Sequence, residues 1–169
     1  MKNLITGIVA GVIVFAWGMA SWMVLPFHAN SMDKLNAEPV VVAAIKQAAP
    51  ASGMFHYPSM DASKEDMMKT PRILVATSYT EKSFPLCMGI GLLIQILAAL
   101  VLTCLVSKAK LENVGDRMKL IFKAVIFATI VCHLPNWLYW GFTPMYTLLA
   151  FVDLLVAWTI AGFWIAKRA

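Results

Sequence analysis

Charge is scarce in this sequence. Only 14% of its 169 residues are Asp, Glu, Lys or Arg, against 60% that are hydrophobic. That balance excludes a soluble domain of this size, which needs far more charge to cover its surface. Cysteine is also sparse. Cys87, Cys104 and Cys132 form no close-spaced pair, which excludes a thiolate zinc centre and a CxxC redox motif. At about 1.5 Å of rise per residue, Cys87 and Cys132 would lie at depths differing by about 12 Å, too far for a disulfide. Missing too are a GxxxxGKS or GxxxxGKT phosphate loop, a GxGxxG turn and an HExxH helix. Nucleotide, dinucleotide and metalloprotease chemistry therefore lack their usual supports.

What is present is four long apolar runs: Leu4–Leu25, Phe84–Val106, Leu120–Phe142 and Met145–Ala166. Crossing a hydrocarbon core about 30 Å thick takes about 20 apolar helical residues, so each run suffices. Transmembrane strands would alternate apolar and polar residues over shorter segments, and these runs do not. The fourth run contains Asp153, which at mid-bilayer costs about 2.5–3.5 kcal/mol on insertion scales. Ten strong formers in that run, from Leu148 to Ile165, contribute about −0.3 to −0.6 kcal/mol each and outweigh it. The first run exceeds the 7–15 apolar residues usual for a signal peptide, so it reads as an uncleaved anchor despite the small residues at Gly18-Met19-Ala20.

Lysine and arginine give the orientation. Lys2, Lys108, Lys110, Arg117, Lys119, Lys123, Lys167 and Arg168 fall on one side, with only Glu112 and Asp116 against them. Residues 26–83 hold six basic and six acidic residues, and the turn at 143–144 holds none. The positive side is cytoplasmic, so both termini and residues 107–119 are expected there, with 26–83 outside. The expected fold is all-α and membrane-integral: a single antiparallel bundle of four transmembrane helices with a small α/β cap between the first two. A bacterial inner membrane is the expected location. The net charge of +5 then reflects topology and attraction to anionic lipid, and no nucleic-acid partner is expected.

Within the loop, Pro39 followed by Val40–Ala49 reads as a short helix starting after Asn36 or Glu38, and Pro50–Gly53 ends it. Met54–Tyr57 and Ile73–Tyr79 are strand-like. Between them Ser63 and Asp66 have capping-box spacing. A core this small cannot stand alone and should rest on the membrane helices. The run from Phe27 to Asp33 matches that from Phe55 to Asp61 at five of seven positions, a similarity short enough to be coincidence.

The polar residues inside the runs are the main functional candidates. His133 and Asp153 lie at nearly equal depth on runs joined by a very short turn, and such runs must be antiparallel neighbours. Gln95 and Asn136 fall in or next to the same layer. Ala150, Ala157 and Ala161 share a helix side with Asp153 and should turn it inward. Pro135, unable to donate a backbone hydrogen bond, loosens the turn before it. This layer reads either as a proton or ion relay centred on Asp153, or as a clamp fixing helix register. Gly7 and Gly11 form a small-xxx-small pair suited to packing on another span or a partner subunit. In the loop, His28, Met54, His56 and Met60 combine imidazole and thioether groups that suit copper. The aromatic residues near the outer ends, among them Trp17, Trp22, Trp137 and Trp140, read as an interfacial belt. The run Ser21-Trp22-x-x-Leu25-Pro26-Phe27-His28, where the first span leaves the membrane, is distinctive but matches no familiar motif.

No residue emerges as catalytic, and no cofactor other than copper is suggested. The expected role is a non-enzymatic accessory or assembly subunit of a larger membrane complex, with other membrane subunits or copies of itself as partners. The alternatives are a transporter-like protein using Gln95, His133, Asn136 and Asp153, and a periplasmic copper-binding protein. The topology has a direct check. Single cysteines placed at residues 113 and 62 of a cysteine-free chain should react with a membrane-impermeant thiol reagent from opposite sides. Labelling of both from the same side would overturn the topology.

Overall fold

The computed structural model describes residues 1–169. Four of its helices are long and apolar enough to cross a membrane: α1 (Lys2–Met23), α4 (Phe84–Lys108), α5 (Val114–Trp140) and α6 (Pro144–Arg168). Between α1 and α4 lie α2 (Glu38–Ala48), β1 (Gly53–Tyr57), α3 (Lys64–Lys69) and β2 (Ile73–Thr77), preceded by a 3-10 turn at Ala29–Ser31.

The helix ends follow local chemistry and depart from the limits of the apolar runs. Helix α5 starts at Val114, well before the run at Leu120, because Asn113 caps it: its Oδ1 accepts from the Asp116 amide at 2.8 Å. It stops at Trp140 because Gly141 turns left-handed at φ 75°. Ser83 and Thr143 cap α4 and α6, each with proline in the first turn. Helix α1 ends at Met23, three residues before Pro26, whose ring disfavours helical geometry in the residue before it.

The cap forms as local signals suggest. β1 and β2 pair antiparallel, Phe55 opposite Val75 and His56 opposite Leu74. Ser63 caps α3, its Oγ accepting from the Asp66 amide at 3.1 Å and donating to the Asp66 carboxylate at 2.7 Å. The two similar heptads adopt different structures, a turn with 3-10 helix in the first and a strand leading into a turn in the second. They are not a structural repeat.

The spanning helices pack in the order α4, α1, α6, α5. Helix α1 lies against both α4 and α6, α5 lies against α6, and α4 barely touches α5. Small residues set the close approaches. A Cβ on Gly7 would come 2.6 Å from Leu100 Cδ2, and one on Gly11 would come 2.5 Å from Ile96 Cα. Gly162 meets Ile121 in the same way, at 2.8 Å from Cγ2. Ala10, Ala99, Ala157 and Ala161 complete the shared core, while Ala150 is only half-buried. Arg117 ties the basic end of the bundle together, donating to the carbonyls of Leu111 and Ala166, both at 2.9 Å.

Because Gly11 faces backbone, a larger side chain there cannot be absorbed by rotamer changes. Gly11→Val is expected to destabilise the helix assembly by about 1–3 kcal/mol. Gly18→Ala, with nothing near its Cβ position, should stay within about 1 kcal/mol of wild type. Thermal unfolding in detergent, followed by helical circular dichroism, measures both.

Candidate functional site

Asp153 organises the most connected polar cluster in the protein. Two turns into α6, its carboxylate faces α1 and not α5. Oδ1 accepts from Trp17 Nε1 at 2.7 Å and from Ser21 Oγ at 2.6 Å. Trp17 and Ser21 are four residues apart on one helix, so they present neighbouring donors on one side. Oδ2 lies 3.4 Å from His28 Nε2. His28 reaches this position because the chain turns back after Pro26, and Ser31 Oγ donates to its carbonyl at 2.7 Å to hold the turn. The imidazole is 1% exposed, stacked on Trp22 with centroids 4.0 Å apart and planes 7° from parallel. Phe27 packs on it at 4.7 Å.

The proton directions follow from valence. Ser21 has one hydroxyl proton, and it points to Asp153. Ser21 Oγ therefore accepts from His28 Nε2, 3.0 Å away, so that nitrogen carries a proton. His28 Nδ1 is buried without a partner. Serine, histidine and aspartate thus meet, but in the wrong sense for a nucleophile: the imidazole donates to the serine and cannot accept its proton. Trp17 Nε1 and Ser21 Oγ, the latter backed by His28 Nε2, offset part of the cost of a carboxylate at membrane depth. Membrane hydrogen bonds average about 0.6 kcal/mol and reach about 1.7, so the two to Asp153 supply roughly 1–3 kcal/mol, part of the insertion cost of about 2.5–3.5.

The other residues expected in the polar layer lie elsewhere. His133 is half-buried on α5, and no hydrogen bond joins it to Asp153. Asn136 Nδ2 donates back to the Cys132 carbonyl at 2.9 Å, beside the turn that Pro135 deprives of a donor. Gln95 lines an apolar groove between α4 and α5, together with Leu154 and Trp158. Equal depth therefore did not produce contact. The loop residues separate as well. His28 belongs to the Asp153 cluster, whereas His56 and Met60 line a recess at the end of α5. Met54 is 69% exposed on β1 and lies outside that recess. Trp17, Ser21 and His28 were not anticipated as partners of Asp153. The distinctive run from Ser21 to His28 was the one sequence signal that pointed there.

No family model matches the chain, and no curated protein or solved structure is detectably similar to it.

Removing the carboxylate leaves the Trp17 indole N–H and the Ser21 hydroxyl without their acceptor. Asp153→Ala is expected to lower stability by about 1–3 kcal/mol. His133→Leu and Gln95→Leu should each change it by less than about 1 kcal/mol. The thermal midpoints of the three variants in detergent test the ordering, and a larger loss at His133 would contradict it.

Proposed function

We propose that this protein is a non-enzymatic accessory subunit of a larger membrane complex, taking a partner's transmembrane helix into the groove between α4 and α5. The reading rests on one observation: the helix row is open there. The groove has a volume of about 380 Å³ and is lined almost entirely by apolar side chains. Ala98, Ala124 and Ala128 line it, and small residues let helix backbones approach where lipid offers no hydrophobic drive to associate. Gln95 adds a side-chain amide to the same surface, suited to a hydrogen bond across helices. A second copy of the chain in that position is the homo-oligomeric form of the same proposal.

In this reading the Asp153 cluster is a clamp. It joins α1, the start of the loop and α6, and it keeps the cap seated while the groove is occupied. A proton or ion pathway through Gln95, His133, Asn136 and Asp153 has less support, since these side chains do not meet. The basic residues near both termini and in the α4–α5 turn favour a cytoplasmic position for that end, with the cap on the outer face of a bacterial inner membrane.

Purification in mild detergent is expected to bring down one dominant membrane partner, or a defined oligomer. Ala98→Leu with Ala128→Leu should release it while leaving the helical content unchanged. A wild-type protein that runs as a lone monomer overturns the proposal.

A further inference from the structure

The recess between the cap and the end of α5 gathers a second set of groups, independent of the groove and of the Asp153 clamp. Strand alternation puts His56 and Met54 on one face of β1. Only His56 is drawn against the membrane helices, its ring packing edge-on to Trp140 with centroids 5.7 Å apart. His56 Nδ1 lies 2.7 Å from the Pro58 carbonyl oxygen. A carbonyl can only accept, so in the neutral ring Nδ1 holds the proton and Nε2 keeps its lone pair. No hydrogen bond occupies that Nε2. Fixing the distal nitrogen on a carbonyl is how metal-ligating imidazoles are commonly oriented.

Met60 and Met67 line the same recess, which has a volume of about 360 Å³. Met60 sits in the turn after β1 at the rim of the recess, 73% exposed, and Met67 is brought round by α3, whose start Ser63 caps. The residues that line the recess offer one imidazole and two thioethers, with no thiolate and no carboxylate among them. Asp61, the nearest acid in sequence, is exposed, and its carboxyl is held below the usual range by the Ser59 hydroxyl and then by a backbone amide. It does not line the recess.

Neutral, soft donors select a soft cation, and hard dications such as magnesium or calcium require oxygen ligands. Arg72 also lines the recess. Its Nη1 is directed to the terminal carbonyls of α5, 3.0 Å from Leu138 O and 3.5 Å from Tyr139 O, where the helix end partly offsets its charge. What remains repels a dication twice as strongly as a monocation at the same distance. We propose that His56 Nε2, Met60 Sδ and Met67 Sδ form a binding site for Cu(I). The site differs from the set suggested by sequence, in that Met67 replaces both His28 and Met54.

The test uses the full chain in detergent, with Cu(I) kept reduced and shared with a coloured Cu(I) chelator of known affinity. Wild type is expected to withdraw one equivalent of Cu(I) from the chelator and to leave Zn(II) with its own chelator. His56→Ala should abolish the withdrawal. Met67→Leu, a near-isosteric change, should weaken it without altering the circular dichroism spectrum, and Met54→Leu should leave it intact. Failure of wild type to compete for Cu(I) would refute the site, as would full retention by Met67→Leu or loss through Met54→Leu. None of these outcomes depends on whether a partner occupies the α4–α5 groove.

Discussion

A carboxylate at membrane depth must collect donors from its own protein, because lipid offers none. In this chain that requirement falls on Asp153, and it shapes the structure around it. Trp17 and Ser21 on α1 and His28 after the helix all converge on two oxygens. Satisfying one acid therefore joins the first and last spanning helices. It also pins the point at which the long loop leaves the bundle. The stacking of His28 on Trp22 holds its Nε2 edge beside the acid.

With α1 committed to α6 at one end, its opposite side is free for α4, and glycine makes that contact close. Gly7 and Gly11 bring α4 within backbone distance. The same side cannot also serve α5, which packs on α6 through Gly162 and Ile121. A row of four helices follows, and its two outer members are left with an apolar trough between them. The trough is thus a consequence of where the small residues and the acid lie.

The cap obeys different physics. It lies outside the apolar spans, so its elements come from capping, proline placement and strand propensity, and all of these are local. Ser63 with Asp66, Pro39 in the first turn of α2, and the β-branched run from Ile73 are each sufficient to locate an element. What these signals could not convey is how the cap sits on the bundle. That is decided by Arg72 on the end of α5 and by His56 against Trp140, contacts between residues far apart in the chain.

The number of spans, their approximate limits and the elements of the cap were legible in the residues, because each depends on segment length, composition or neighbours a few positions away. The partner of Asp153 was not. Counting residues from a helix end gives depth, and on depth alone His133 was the natural partner. Direction around the helix axis decided otherwise. In a soluble bundle an apolar stripe reveals that direction, but lipid and protein neighbours are equally apolar, so a spanning helix carries little trace of which side faces which. Only the packed arrangement, with α1 between α4 and α6 and the chain folding back at His28, determined which polar groups would meet.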